Sequence, residues 1–431
     1  MIFVFAWLIA VVLAEDPLRS SLRSPKGRLN LFSQFKKRQH LRYHSVGEDR
    51  KRLELFLESA RQVADFNEDK EDKGFYEVNF FSVLTDEEQK MYLGINSSLS
   101  NPDLARSINP FPSKLTTSLP SRKLWTNTGH VTKIKDQKSC GSCWTFAAVG
   151  TLETAYKIKT GVLRNFAEQE YLDCTQEKIK DKDGCKGNYP HNAFAWSIRN
   201  GGRLAASKNR PYENRDRECR AHITKNAMIA AKITGYRGIG QTEQAHIQEL
   251  QNNAISVILF VSKKFKQYAG GLMRDTTCTT DDNAHAVVLV GYTQMFLLIK
   301  NSWGTSWGVE GFAKLARGHD HCELFKYGLV PILTLTGVSD SGSDAATPYR
   351  PFERFGPSCK DRWDKEKCER VTSCCKGCYS MKIRLPFPNP NFVRTYCPET
   401  CGFCVGDKEK CPKGKRRCKD HVCRSNRECY N

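Results

Sequence analysis

The stretch "DQKSCGSCWTF" at residues 136–146 places Cys140 and Cys143 three positions apart, just where an apolar helical pattern begins. The helix predicted from about Ser142 onward puts Cys143 at its N-terminus, where partial positive charge favours the thiolate form of a cysteine. Cys140 precedes the helix in a loop, where a disulfide could hold the turn. Cys143 is therefore the candidate nucleophile, and the alternative is that both cysteines are structural.

Two later motifs supply the groups that a thiolate nucleophile needs. His285 precedes the apolar run of "DDNAHAVVLVGY", which predicts a buried strand, and Asn301 follows another apolar run in "LLIKNSWGTSWGVEGF". A histidine can serve as the cation and the general acid, and an asparagine can accept its N–H and fix the tautomer. A single histidine at such a position is usually ordinary packing. Both side chains are predicted at strand ends, where rigid elements would position them.

The N-terminus and the cysteine content point to an exported chain. The run "MIFVFAWLIAVVLA" predicts a signal peptide over residues 1–14, because the alternative, a membrane anchor, needs about 20 apolar residues. An oxidising compartment favours disulfides. None of the nineteen cysteines lies before Cys140, seven lie from Cys140 to Cys322, and twelve lie from Cys359 to Cys429. If the twelve pair among themselves, the odd number leaves a free thiol among the seven.

Composition divides the rest of the 431-residue chain, whose formal net charge is +20. Residues 15–116 contain a basic run, an amphipathic helical pattern and a Ser-, Asn- and Pro-rich linker with a glycosylation acceptor at Asn96. A region of mixed composition covers residues 117–332. Residues 333–358 are rich in Ser, Gly, Asp and Pro and predict a second linker. The tail beyond them has too few aliphatic residues for a core without disulfides.

The motifs of the central region resemble those of the papain family of cysteine proteases. The resemblance covers residues 117–332 and is carried by "DQKSCGSCWTF", "AHAVVLVGY" and "KNSWGTSWG", with support from "EQEYLDC", "RPY" and "YAGG". It implies an α+β fold of two lobes, one helical and one β-barrel-like. It also implies a helical prosegment before the enzyme.

The amphipathic pattern is similar to the ERFNIN helix of cathepsin L-like zymogens. Its six positions share one helical face: Glu48, Arg52, Phe56, Ser59, Val63 and Asn67. Ser59 replaces the first asparagine of the motif, and Val63 replaces its isoleucine. The second prosegment motif has four positions. Asn79 and Phe81 match the family, whereas Glu77 and Val83 differ from it. We therefore expect residues 15–116 to be an inhibitory propeptide that covers the cleft.

The resemblance assigns a role to each candidate residue. It makes Cys143 the nucleophile, His285 its partner and Asn301 the residue that orients the imidazole. Gln137 is implied as the oxyanion-hole donor beside the main-chain N–H of Cys143, and Trp303 as a shield of the His–Asn contact from water. The family pattern further implies three bridges: Cys140–Cys185, Cys174–Cys219 and Cys278–Cys322.

The substrate-binding segment departs from the family pattern. The family's Gly-Cys-x-Gly-Gly is "GCKGN" here, so Gly187 is kept and Asn188 stands where the substrate backbone approaches closely. We therefore expect weaker binding of extended peptides. The rim of the S2 pocket is expected to include Tyr189 and Pro190, and a tyrosine floor, Tyr327, favours medium-sized apolar P2 residues over arginine.

The cysteine-rich tail ends in Cys-x3-Cys-x2-Cys and resembles the ShKT (sea anemone toxin-like) domain over residues 359–404. Family pairing would give three bridges: Cys359–Cys404, Cys368–Cys397 and Cys378–Cys401. Six further cysteines have no assigned partner: Cys374, Cys375, Cys411, Cys418, Cys423 and Cys429. Lys382 is followed by Ile383, so half of the toxin's Lys-Tyr pair is absent, and docking of substrates or matrix is favoured over channel block. Residues 405–431 form a basic tail that could bind acidic glycans.

Together these patterns predict the zymogen of a cysteine endopeptidase, either secreted or in a lysosome-like compartment, that cleaves protein or peptide substrates. No cofactor, metal or nucleic acid is expected to take part. The alternative is a protease-fold scaffold whose tail engages a channel or the extracellular matrix. The intact set of Gln137, Cys143, His285 and Asn301 argues against a scaffold, whereas Asn188 argues mildly for it.

Overall fold

The computed structural model describes residues 17–69, 71–95, 119–175, 183–220, 228–275, 277–278, 283–342, 345–349, 416–417 and 423–424. The predicted signal peptide, the Asn96 acceptor and the predicted bridges of residues 359–404 lie outside these residues. The chain divides into two compact units, and the second comprises residues 66–356. Within the described ranges, no helix is both long and apolar enough to cross a membrane.

The first unit comprises residues 1–65 and 357–431, and its described N-terminal part is helical. Its helices are α1 (Pro17–Arg23), α2 (Pro25–Arg38) and the greater part of α3 (Val46–Glu68). The helix predicted from the ERFNIN-like face is confirmed by α3, in which Arg52 Nε lies 2.5 Å from Glu48 Oε1. Phe56 is buried against Phe32 and Phe35, with ring centroids 5.4 and 4.9 Å away. Phe56 therefore packs α3 against α2.

The second unit combines helices with an antiparallel sheet, which confirms the predicted α+β class. Its helices are α4 (Asp86–Lys90), α5 (Cys143–Thr160), α6 (Glu168–Cys174), α7 (Pro190–Arg199), α8 (Glu243–Glu249) and α9 (Lys263–Lys266). Its strands are β1 (Lys73–Tyr76), β2 (Lys123–Leu124), β3 (Ala231–Gly238), β4 (Ile255–Phe260), β5 (Tyr268–Leu272), β6 (Ala284–Tyr292), β7 (Phe296–Lys300), β8 (Phe312–Ala316) and β9 (Gly328–Leu335). Apart from these, β10 (Arg416–Arg417) pairs with β11 (Cys423–Arg424).

The sheet of the second unit centres on β6. Its strand order is β3-β9-β4-β6-β7-β8, and β2 also pairs with β6. All nine residues of β6 are buried, as its continuous apolar run predicts. His285 lies at the start of β6 opposite Leu259 of β4, and Asn301 follows the last residue of β7. The sheet therefore holds both residues at strand ends, as expected.

Helix α5 packs against this sheet and carries the first motif. It begins at Cys143, in agreement with the helix predicted from about Ser142, and every residue from Cys143 to Tyr156 is buried. Two hydrogen bonds fasten it to β4, from Ser256 Oγ to the Ala147 carbonyl (2.9 Å) and between the hydroxyls of Thr151 and Ser256 (2.8 Å). The N-terminus of α5 is thus held in fixed register with the sheet.

Residues 66–69 and 71–95 join the rest of the second unit through β1, which pairs antiparallel with β5. Lys264 Nζ lies 2.9 Å from Asp69 Oδ2 and 3.0 Å from Asp72 Oδ2. Asn79 donates to the Lys266 carbonyl at 2.7 Å. Asp72 and Lys264 are both buried, so the ion pair between them is shielded from water.

Part of the predicted second linker, residues 333–342 and 345–349, is held against the second unit. Strand β9 continues to Leu335, which pairs with Ala231 of β3, so the sheet extends past residue 332. Residues 336–342 and 345–349, which we call the C-terminal arm, then lie along the unit, where the Ala346 and Tyr349 N–H groups donate to the carbonyls of Leu163 and Val131. A Ser- and Gly-rich composition suggested a free spacer, but main-chain hydrogen bonds hold this one in place.

Candidate active site

The three bridges implied for the central region are all present in the structure. They join Cys140–Cys185, Cys174–Cys219 and Cys278–Cys322. Cys143 is the one cysteine left free among the seven from residue 140 to residue 322, and it is buried. The bridge at Cys140 fixes the loop that leads into α5, as its position before the helix suggested.

His285 and Asn301 meet across the edge between β6 and β7. His285 Nε2 lies 2.7 Å from Asn301 Oδ1, an acceptor, so this nitrogen carries the proton. The indole ring of Trp303 stacks on the imidazole with centroids 4.5 Å apart. His285 Nδ1 is buried without a hydrogen-bond partner among the described residues. The neutral ring therefore keeps Nδ1 as a free acceptor.

Gln137 is held in one orientation by its neighbours. Its amide oxygen accepts a hydrogen bond from Ser302 Oγ at 2.6 Å, and its amide nitrogen donates to the Cys140 carbonyl at 2.9 Å. Its main-chain N–H donates to the Ser302 carbonyl at 2.8 Å, and its own carbonyl accepts from the Tyr212 hydroxyl at 2.7 Å. The side-chain N–H group is thereby aimed at the loop before Cys143.

A piece of the chain itself lies across these groups: Tyr92–Ile95, which we call the cleft segment. The Tyr92 carbonyl accepts from Gln137 Nε2 at 3.0 Å and from Trp303 Nε1 at 3.3 Å. The Gly94 carbonyl accepts from the Asn188 N–H at 2.9 Å. Ile95 forms an antiparallel bridge with Ala284, next to His285. A segment of the chain's own backbone therefore already occupies the cleft.

The covered cleft makes both titratable groups neutral. Burial raises the pKa of the Cys143 thiol to about 12, although main-chain N–H groups, among them those of Ala286 and Gly94, act to lower it. Burial likewise lowers the pKa of His285 to about 4, against the hydrogen bond to Asn301. The thiolate expected from the helix N-terminus is therefore absent in this covered form, because desolvation outweighs the favourable dipoles.

Comparison with known proteins places this arrangement in a family. Residues 119–332 match the papain family cysteine protease domain, and residues 32–89 match the cathepsin propeptide inhibitor domain (I29). Papain from Carica papaya is 31% identical over 322 residues, which cover 73% of this chain and 90% of papain. The chain belongs to the papain family of cysteine proteases. With its propeptide domain, it is the zymogen of such a protease.

Other relatives align with this chain over most of their own length. A cathepsin L-like proteinase from Phaedon cochleariae is 30% identical over 313 residues, covering 70% of this protease and 93% of the relative. The solved structure of digestive procathepsin L2 from the larval midgut of Tenebrio molitor superposes with a TM-score of 0.63 at 26% identity. That alignment covers 70% of this protease and 99% of that chain. The papain-like fold and the helical prosegment are therefore confirmed.

In this protease, Asn188 retains the main-chain donor of the substrate-binding segment. Its side-chain oxygen turns away from the cleft and accepts from Tyr189 N (2.8 Å) and Asn192 Nδ2 (2.6 Å). Its N–H group remains available and binds Gly94 of the cleft segment. The close approach occurs instead at Gly187, whose φ is +104° and where a Cβ would lie 2.6 Å from the Gly94 carbonyl oxygen. The replacement of the family's glycine by Asn188 thus leaves the main-chain contact with the cleft segment intact.

The residues predicted for the S2 pocket lie together. The rings of Tyr189 and Tyr327 have centroids 5.9 Å apart, and Pro190 begins α7 beside them. Tyr327 is buried, and its hydroxyl lies 2.8 Å from Nδ1 of the buried His191. Burial raises the pKa of Tyr327 well above its ordinary value, so the phenol stays neutral.

Three contributors to the site were not identified from the sequence. Ser302 lies within the "KNSWG" motif, and its hydroxyl orients Gln137. His191 supports Tyr327 but follows the pocket motif without a distinctive spacing. Gly94 lies in tight contact with Gly141, and this contact becomes visible only in the folded chain. Among the residues that the structure describes, no group of three or more His, Cys, Asp or Glu could hold a metal.

Proposed function

We propose that Cys143, His285 and Asn301 perform peptide-bond hydrolysis, with Gln137 as an oxyanion donor and Trp303 as the shield of the imidazole. Once the cleft segment leaves and water enters, desolvation no longer penalises ionisation of Cys143. The thiol proton then passes to His285 Nδ1, and the imidazolium and the N-terminus of α5 favour the resulting thiolate. Asn301 holds the ring through Nε2, which leaves Nδ1 as the proton acceptor.

The reaction proceeds in two halves. The Cys143 thiolate adds to the scissile carbonyl, and the resulting oxyanion accepts hydrogen bonds from Gln137 Nε2 and the Cys143 main-chain N–H. The imidazolium of His285 donates its proton to the leaving amine as the C–N bond breaks, which leaves a thioester. A water molecule, deprotonated by His285, then attacks this acyl-enzyme and releases the acid product and the thiol.

One observation carries this proposal: the cleft segment already binds as a peptide would. Its Tyr92 carbonyl accepts from the proposed oxyanion donor at 3.0 Å, and its Gly94 carbonyl accepts from Asn188 N–H at 2.9 Å. The main-chain N–H of Gly94 also points at the Cys143 sulfur. The alternative of an inert scaffold has no comparable support, because a scaffold needs neither the oriented amide nor the cleft geometry.

Labelling with an irreversible peptidyl epoxide tests the proposal. We expect the trimmed protease to gain one inhibitor mass on the peptide that contains Cys143, because the thiolate opens the epoxide ring. The intact zymogen should react at least about 100-fold more slowly, since its thiol is covered and neutral. Cys143→Ala is the control and should take up no label. Label on another residue, or Cys143 found in a cystine, would contradict the proposal.

A second prediction concerns substrate choice at P2. Tyr327 presents a neutral phenol tied to His191, so a P2 arginine would bury its charge against aromatic rings. We expect kcat/KM for substrates with P2 leucine or valine to exceed that for P2 arginine by at least about tenfold, on the order of 1–3 kcal/mol. A peptide library varied only at P2 measures this ratio, and P2 arginine as the best substrate would refute the assignment of the floor.

We further propose the remaining domain bounds and the cell compartment from sequence patterns. Residues 1–14 act as a signal peptide, residues 15–116 are removed on activation, and the enzyme works outside the cell or in a lysosome-like compartment. Residues 359–404 form a ShKT-like module that docks the enzyme to substrates or matrix, supported by its cysteine spacing. A disulfide map that lacks Cys359–Cys404, Cys368–Cys397 and Cys378–Cys401 would exclude the module.

A further inference from the structure

The C-terminal arm lies beyond the region that matches the papain family, which ends at residue 332. It starts where Thr336 N–H donates to the Ala230 carbonyl at 3.0 Å, just before β3. The family match therefore does not account for the contacts that the arm makes with the protease domain.

A buried ion pair anchors the middle of the arm. Asp340 accepts hydrogen bonds from the Arg164 guanidinium, with Nε 3.0 Å from Oδ2, and from the Tyr156 hydroxyl at 2.8 Å. The side chains of Arg164 and Asp340 are only 6% and 1% exposed. A buried charge without its partner is strongly unfavourable, so this carboxylate specifies where the arm docks.

The charge of the anchor persists in acid. Burial alone would raise the pKa of Asp340, but hydrogen bonds from Arg164, the Gly342 N–H and Tyr156 outweigh burial and hold the pKa below its ordinary value. A carboxylate with a lowered pKa contributes stability that is lost only as pH falls through that lowered pKa. The ion pair therefore remains charged at the mildly acidic pH of a lysosome-like compartment.

The end of the arm is fixed at a second place. Pro348 forms an antiparallel bridge with Thr132, and the Tyr349 N–H donates to the Val131 carbonyl at 2.6 Å. The ring of Tyr349 packs on Phe312 of β8 with centroids 4.5 Å apart. The arm thus reaches from α5, through Tyr156, to the strand edge of the sheet.

These contacts define an intramolecular interface. We propose that the C-terminal arm stays permanently bound to the protease domain, on the surface formed by Tyr156, Arg164, Val131 and Phe312. The arm thereby holds the residues that follow Tyr349 at a fixed point. The functional protease domain then ends at Tyr349. A cut before the arm leaves the C-terminal region bound without a covalent link.

A disulfide between the tail and the protease domain cannot explain retention of the cut C-terminal region. The three bridges use six of the seven cysteines from residue 140 to residue 322, and the seventh, Cys143, is fully buried and cannot reach the tail. The site for a sequence-specific protease can be inserted after Gly337, where nothing lies within 4 Å of an added Cβ and the next residue, Val338, is 54% exposed.

The experiment uses the full chain with this inserted site. After cleavage, we expect residues 338–431 to co-elute with the protease domain on gel filtration. Asp340→Ala should release the fragment, with dissociation at least about tenfold faster, whereas Val338→Ala, an exposed position of the same arm, should leave it bound. Should Asp340→Ala fail to fold, Tyr349→Ala removes the Phe312 contact without stranding a buried charge and should also speed dissociation. Release of the unmutated fragment, or its retention in both anchor variants, would overturn the proposal.

Discussion

Gln137→Ala is expected to lower kcat of the trimmed enzyme by about 10²–10³, roughly 2.7–4 kcal/mol, with little change in KM. The lost group is an N–H donor that is already oriented before the reaction, because Ser302 Oγ holds the amide oxygen at 2.6 Å. Such a donor stabilises charge that appears only in the transition state. Steady-state kinetics on a peptide substrate, with active sites titrated by the epoxide, measure the loss.

A matched control comes from a second buried glutamine. Gln169 bonds to Asp173, the Arg215 carbonyl and the Glu213 N–H, none of which is a proposed catalytic group, so Gln169→Ala should affect stability while kcat stays within about twofold. Ser302→Ala should give a smaller loss than Gln137→Ala and no added loss in the double variant, since both act through one amide. Equal kcat in the Gln137→Ala and unmutated enzymes would remove Gln137 from the mechanism.

Gly94→Ala is expected to abolish the latency of the zymogen. A Cβ at this position would overlap the carbonyl group of Gly141, far inside van der Waals contact. Gly141 cannot retreat, because its N–H donates to the Cys185 carbonyl at 2.9 Å beside the Cys140–Cys185 bridge. We expect the activity of the untrimmed variant, relative to its trimmed form, to rise by at least about 100-fold, or roughly 2.7 kcal/mol of lost prosegment binding.

The same substitution elsewhere in the prosegment isolates this effect. Gly47 lies in α3, and an added Cβ there would meet only Ser45 Oγ at 4.0 Å, so Gly47→Ala should leave the zymogen latent. The measurement is the initial rate of freshly purified zymogen before any trimming, followed by the rate after trimming is complete. If the two alanine variants were equally latent, the cleft segment would not be the source of inhibition.

The location of the site could be predicted from sequence because its residues border short, distinctive local patterns. Cys143 begins an apolar helix, His285 begins an apolar strand and Asn301 ends another, and each position depends mainly on its own segment. The helix that pairs Glu48 with Arg52 was predictable for the same reason, since a repeat of three and four residues fixes one face.

The remaining features depend on contacts between distant segments. The arm has a linker composition, and only the Asp340 carboxylate meeting Arg164 makes it part of the domain. The ionisation of Cys143 was expected from its helix position, but burial under Gly94 reverses that expectation. Asn188 looked unfavourable by residue type, yet its side chain turns toward Asn192 and leaves the N–H group free to bind.

The neutral thiol of the covered cleft has a chemical consequence beyond latency. Peroxide attacks a cysteine as its thiolate and only where it can reach the sulfur, and the sulfinic and sulfonic products are not reduced back to the thiol. Cys143 in the zymogen meets neither condition, because it is fully buried and protonated. The prosegment therefore also protects Cys143 during storage, because it keeps the sulfur in the unoxidised thiol state that peptide hydrolysis requires.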